Sequence, residues 1–146
     1  MQRVGIIGAG AWGTALAVAV GRAGRDVVLW ALEPELVDKI NRDHVNALYL
    51  PDVSLDAKII ATGDLGRAAQ ADILLLVVPA QHLRTIADKL APHVPAGVPL
   101  VICTKGIEQG TGALMTEAAA ALNSATFMVL SGPSFAGEVA RGLPTA

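Results

Sequence analysis

Three glycines near the start of the chain, Gly8, Gly10 and Gly13, stand at the G-x-G-x-x-G spacing directly after the apolar run Val4 to Ile7. Each place has a physical job. Gly8 allows a tight turn off a strand, Gly10 lets a pyrophosphate approach the backbone with no Cβ in the way, and Gly13 lets a helix pack closely on that strand. The anion would meet unpaired N–H groups at a helix N-terminus, where the macrodipole favours negative charge. Twenty positions past Gly13 lies Glu33, just after a second apolar run, Val27 to Trp30. An acid there can accept hydrogen bonds from ribose hydroxyls; it also suits a helix N-terminus for its charge alone. Lys105, between Thr104 and Gly106, is a cation just past a strand-like run. It could pair with a phosphate or polarise a carbonyl oxygen, or simply face solvent. Gly132-Pro-Ser134 could present a further helix N-terminus with a hydroxyl, again suited to an anion.

These groups act together only if elements bring them to one place. The helix after Gly13 runs through Thr14 to Ala23 and stops at Gly24. Pro34 opens another helix, with Leu36, Val37 and Ile40 on one face. Strand, glycine turn, helix and strand follow one another over the length of a βαβ unit. Asn41 to Asp56 is irregular and polar, a long loop around Tyr49, and His44 in it reads as a solvated side chain. Lys58 to Ala61 reads as a strand, with a short helix ending near Ala71. Further strands are predicted at Ile73 to Val78, Pro99 to Cys103 and Thr126 to Leu130. Helices are predicted from Pro79, with Leu83, Ile86, Ala87 and Leu90 inward, and over Thr111 to Asn123. Gly142 to Ala146 reads as the start of one more strand.

This alternation predicts an α/β fold, a doubly wound, mostly parallel sheet of Rossmann type with helices on both faces. Its ligands would bind at the carboxyl ends of the strands. The uncharged stretch Val4 to Gly21 also has the look of a signal peptide or a marginal membrane span. Removing it would strip the sheet of its first strand, so the fold argues against that reading.

Composition narrows the class. Hydrophobic residues make up 53% and aromatics 3%, so the core must be aliphatic, as suits buried parallel strands. A net charge of −2 gives no basic patch for nucleic acid. The single cysteine, Cys103, excludes an internal disulfide framework and suits a reducing, cytoplasmic setting, where it would be an inert small hydrophobe. His44, His82 and His93 lack metal-ligand spacing, no Ser-His-Asp arrangement is evident, and nothing favours a paired-carboxylate hydrolase.

Five ordered segments resemble the NAD(P)-dependent glycerol-3-phosphate dehydrogenases of the bacterial type. They are Gly8-Ala-Gly-Ala-Trp-Gly-Thr-Ala-Leu-Ala17, His44-Val-Asn-Ala-Leu-Tyr-Leu-Pro51, Val78-Pro-Ala80 with Arg84, Thr104-Lys-Gly106, and Ser131 to Ala146. The resemblance implies reversible reduction of dihydroxyacetone phosphate to glycerol 3-phosphate, a precursor of glycerophospholipids, by hydride transfer at the nicotinamide. By position it assigns Gly8, Gly10, Ala11, Trp12, Gly13, Glu33, Tyr49, Pro79, Lys105 and Ala136 to the cofactor. It assigns Lys105, Gly132 and Ser134 to the substrate. It allows a homodimer of the full-length enzyme, with no metal, nucleic acid or membrane span expected from the residues themselves.

Two departures carry chemistry. Ala11 stands where many members have serine, which removes a hydroxyl contact but leaves the backbone N–H. Leu32-Glu33 stands where many carry His or Arg, the groups that would bind the 2′-phosphate of NADP(H). A carboxylate repels that phosphate and accepts hydrogen bonds from a ribose diol, so NAD(H) is expected over NADP(H). Residues 1–146 are expected to form one NAD(P)-binding domain. The helical domain that supplies the family's general acid/base lysine is expected beyond Ala146, leaving these residues able to bind cofactor but nearly inactive. Two other readings compete. One is a free-standing NAD(H)-sensing module acting through a protein partner, and the other is a related dehydrogenase with a different substrate. The Lys105 and Gly132-Pro-Ser134 segments favour an enzyme, and the Ser131 to Ala146 match favours the named substrate.

Overall fold

The computed structural model describes residues 2–123 and 126–145; Met1, Ser124, Ala125 and Ala146 lie outside the described residues. The chain opens with strand β1 (Arg3–Ile7), helix α1 (Ala11–Arg22), β2 (Asp26–Trp30) and α2 (Pro34–Asp43). A short pair, β3 (Val45–Asn46) and β4 (Leu50–Ser54), follows, then β5 (Ile59–Thr62) and α3 (Leu65–Ala69). The rest is β6 (Ile73–Leu76), α4 (Leu83–Leu90), β7 (Leu100–Ile102), α5 (Met115–Ala118), β8 (Phe127–Val129) and α6 (Ala136–Arg141).

Six strands form one sheet in the order β5-β2-β1-β6-β7-β8, and every pairing in it is parallel. The expected doubly wound sheet is therefore present. The order reverses between β1 and β6, the point at which such sheets open a crevice. Register makes that crevice usable. Thr62, Trp30, Ile7, Leu76, Ile102 and Val129 stand in one row across the sheet, so the loops that follow the strands share one edge.

Apolar side chains fill both faces. Val4, Ile6, Leu16, Leu29, Leu36, Ile40 and Ile59 pack on the side of α1 and α2. Ile7, Leu74, Leu76, Leu83, Leu90, Leu100 and Ile102 pack on the other side, under α3, α4 and α5. Strands buried on both faces need continuous rather than alternating hydrophobicity, and the runs at 4–7 and 73–78 have it.

Several expectations are corrected. The irregular stretch 41–56 holds an antiparallel pairing of β3 with β4, and His44 ends α2 in the left-handed region at φ 52°. Pro51 sits within β4 without conflict, because a strand with one neighbour need not donate from both edges. The helix expected over 111–123 shrinks to α5 and a 3-10 turn at 120–122. Gly110 and Gly112 at positive φ hold the preceding segment out of helix, and Asn123 at φ 39° ends the turn. Pro79 opens a 3-10 turn at 80–82 before α4. Residues 142–145 form no strand: Gly142 ends α6 in a left-handed conformation, and Ala146 lies outside the described residues.

Candidate functional site

At the row of strand ends lies a cleft of about 760 Å³, within the size range of small-molecule sites. Gly8, Gly10, Ala11, Trp12, Glu33, Tyr49, Pro79, Lys105, Ser134 and Ala136 all line it. The sequence-derived candidates outside the lining are Gly13 and Gly132. Gly13 supports the lining from behind, since a Cβ there would stand 1.8 Å from the Gly8 carbonyl oxygen. Gly132 contributes its carbonyl to Lys105.

The glycine turn leaves β1 at Gly8, whose φ of 123° suits glycine alone. Gly10 is the N-cap of α1, and no side chain caps that helix. A Cβ on Gly10 would meet nothing within 4 Å. No packing within the protein demands glycine there, so the open space is a cradle for something from outside. The uncapped first turn of a twelve-residue helix faces it with a positive dipole end.

On the β2 side, Glu33 is the N-cap residue of α2, yet its side chain makes no capping bond. Its Oε1 instead accepts the Tyr49 hydroxyl at 3.1 Å. Glu33 thus holds the helix-terminus place that suits its charge, while its carboxylate bonds across to Tyr49 rather than to the α2 backbone. The Glu33 carboxylate in turn pushes the Tyr49 phenol above its ordinary value, by the hydrogen bond first and by its charge second.

At the other end, Lys105 donates from Nζ to the Gly132 carbonyl at 2.7 Å. The same ammonium stands 5.0 Å from the Trp12 ring centroid, within cation–π range. Trp12 Nε1 is a buried donor with no acceptor among the described residues. Lys105 therefore joins the glycine loop to the β8–α6 connection and is not a free strand-end lysine. The second helix N-terminus expected at 132–134 lies later in the chain, because α6 begins at Ala136 with Phe135 as its N-cap.

Other motif residues serve structure. Arg84 forms a two-pronged ion pair with Glu108, both bonds 2.8 Å long. That guanidinium first, and the Thr111 hydroxyl second, pull the Glu108 carboxyl down to about 2. Cys103 is buried, and burial pushes its thiol up to about 12, so it is the inert hydrophobe expected.

Sequence reasoning missed one wall and one anchor. His82, Thr85, Ile86 and Lys89 also line the cleft, spaced as one face of a helix. The apolar spacing predicts Leu83, Ile86, Ala87 and Leu90 inward, whereas His82, Thr85 and Lys89 lie on the neighbouring stripe, which apolar spacing does not mark. The anchor is Asn46, buried in β3 and bonded to the glycine loop. Its signal is its place in the His44-Val-Asn-Ala-Leu-Tyr-Leu-Pro51 segment, where the resemblance gives it no task of its own. No helix is long and apolar enough to cross a membrane, and no group of three His, Cys, Asp or Glu could hold a metal, among the described residues.

Comparison with known proteins agrees with this geometry. The family described as "NAD-dependent glycerol-3-phosphate dehydrogenase N-terminus" matches residues 3–146. A glycerol-3-phosphate dehydrogenase (NAD(P)+) of Paramagnetospirillum magneticum is 64% identical over 100% of this chain and 54% of its own length. One of Parvibaculum lavamentivorans is 56% identical over 99% of this chain and 44% of its own. The crystal structure of glycerol-3-phosphate dehydrogenase from Coxiella burnetii superposes with a TM-score of 0.91 at 35% identity, over 99% of this chain and 45% of that one. The chain thus spans about half the length of the curated relatives it matches. On the match over 3–146 and the shared fold, the chain belongs to the family of the NAD-dependent glycerol-3-phosphate dehydrogenase N-terminus.

Proposed function

We propose that residues 1–146 are the NAD(H)-binding domain of an enzyme that interconverts dihydroxyacetone phosphate and glycerol 3-phosphate. In this reading the enzyme works in the cytoplasm, feeding glycerophospholipid synthesis. The observation that carries it is the open space over Gly10 beside an uncapped helix end, in a cleft also lined by Lys105, which stands over Trp12. An anion in that cradle meets backbone N–H groups, and Lys105 supplies an ammonium further along the same cleft. When bound, the nicotinamide supplies or takes up the hydride. The chain's own residues then have separable tasks. The glycine loop and Trp12 hold the pyrophosphate, and Glu33 accepts from the ribose. Tyr49, Pro79 and Ala136 shape the walls. Lys105 reaches both cofactor and substrate, with Gly132 and Ser134 along the substrate.

The acid at Glu33 favours NAD(H), because a 2′-phosphate beside its carboxylate is repelled. The general acid/base lysine belongs to a helical domain following Ala146, and a homodimer would form from the longer chain. The names and lengths of the relatives support this division. Titration of the 146-residue chain with NADH and NADPH is the test. We expect tighter NADH binding, a preference narrowed at least about fivefold by Glu33→Gln, and almost no dihydroxyacetone phosphate reduction. Tighter NADPH binding would overturn the cofactor assignment, and brisk turnover would overturn the division of labour.

A further inference from the structure

A buried amide is costly unless its hydrogen-bonding groups are used, and Asn46 uses them on the cofactor loop. It is fully buried. Its two Nδ2 hydrogens go to the Ala9 carbonyl and the Thr14 hydroxyl, each at 2.8 Å. Its Oδ1 accepts the backbone N–H of Tyr49 at 3.1 Å. The Thr14 hydroxyl also leans on the Ala9 carbonyl, at 3.4 Å. Serine has one hydrogen to donate and aspartate none, so only an amide makes all three contacts from this place.

The contacts act at two distances. The Ala9 carbonyl and the Gly10 N–H belong to one planar trans peptide and point opposite ways. Holding the carbonyl toward Asn46 therefore fixes the Gly10 N–H on the far side, at the start of α1. The Tyr49 backbone is held by the same side chain, three residues along the turn. The Tyr49 hydroxyl in turn reaches Glu33.

We propose that Asn46 is a positioning residue for the dinucleotide. Through the Ala9 carbonyl it aims the Gly10 N–H at the pyrophosphate, and through the Tyr49 backbone it holds the phenol that orients Glu33 toward the ribose. The β3–β4 hairpin is thus the brace between the two ends of the adenosine half of the site. This rests on the reading of the cleft as an NAD(H) site.

Dissociation constants of the 146-residue chain and its variants for NADH and NADPH provide the test. Tyr49→Phe removes one hydroxyl at a half-exposed position. It is expected to narrow the NADH preference about threefold, the worth of one hydrogen bond. Asn46→Ala is expected to weaken both cofactors about tenfold through the loop. It should also narrow the NADH preference as far as Tyr49→Phe does. The double variant should narrow it no further, because both changes break one chain of contacts. If Asn46 only stabilises the fold, the two affinities fall in proportion and the preference is unmoved, which would overturn the proposal. Independent, additive narrowing in the double variant would overturn it as well. Should Asn46→Ala fail to fold, Asn46→Ser keeps one donor and carries the same comparison. A wild-type chain that binds neither cofactor would overturn the underlying reading, whereas wild-type binding with an unmoved preference would overturn this proposal alone.

Discussion

The two ends of the cleft are built differently. At the glycine end, β1 is paired on both sides, Gly13 lies against the Gly8 carbonyl, and Asn46 grips Ala9 and Thr14 from a buried position. At the Lys105 end, the last strand of the sheet, β8, leaves Val129 64% exposed, and Phe135 beyond it is 71% exposed. Lys105 itself is held by one carbonyl and one ring face. One end is over-determined by contacts within the chain; the other stands on an edge with few. A change that invades the packing of the first end should therefore register as stability, and a change at the second as binding.

The largest effect expected comes from Gly13→Ala. Its Cβ would overlap the Gly8 carbonyl oxygen, 1.8 Å away, and neither α1 nor β1 can yield, because each is packed along its length. A loss of about 3 kcal/mol or more follows, readable in urea unfolding. Gly10→Ala is the matched contrast, with the same added methyl three positions away in the motif but in open space. Its stability should stay within about 0.5 kcal/mol of wild type, while NADH affinity falls at least about tenfold. If both variants unfold at the wild-type midpoint, the glycine end is no tighter than the other.

Lys105→Met probes the opposite end with a smaller effect. It keeps an unbranched stem near Trp12 and deletes the charge. We expect NADH binding to weaken about fivefold, the loss of a charge-assisted contact. The unfolding midpoint should not move, since the lysine is exposed. A lowered midpoint with unchanged affinity would make Lys105 a structural strut and reverse the contrast.

The same contrast explains what sequence could reveal. The glycine turn was legible because its constraints are steric and local: Gly8, Gly10 and Gly13 act within six positions. The strands were legible because burial on both faces leaves unbroken apolar runs. Asn46 lies in one of the segments that carry the resemblance, but its task was not legible, because its partners Ala9 and Thr14 lie 37 and 32 positions away. The pairing of Tyr49 with Glu33 spans 16 positions and leaves no periodic mark. The Ala-rich stretch 111–123 misled because alanine favours helix without saying where it ends. Gly110, Gly112 and the αL Asn123 decided that instead.

The smallest expected effect concerns acid, and it separates the two ends by chemistry. The loop after Lys105 is fastened by Arg84 to Glu108, while Glu108 N–H and Gly112 N–H close its backbone onto Ala113 and Glu108. The contacts of Asn46 contain no titratable group. Glu108 has a folded value of about 2, below the 4.5 of an ordinary glutamate. A depressed carboxyl contributes stability that is present above 4.5 and lost as pH falls from there toward 2. Arg84 is 46% exposed, so salt should shrink the effect further. Amide hydrogen exchange, corrected for its intrinsic pH dependence, should show protection at Glu108 and Gly112 falling across that window while Tyr49 holds. Glu108→Gln should flatten the dependence, because the titrating group is gone. Loss at Tyr49 before Gly112 would mean that the glycine end, not the lysine end, yields first to acid, and the contrast would have to be drawn the other way round.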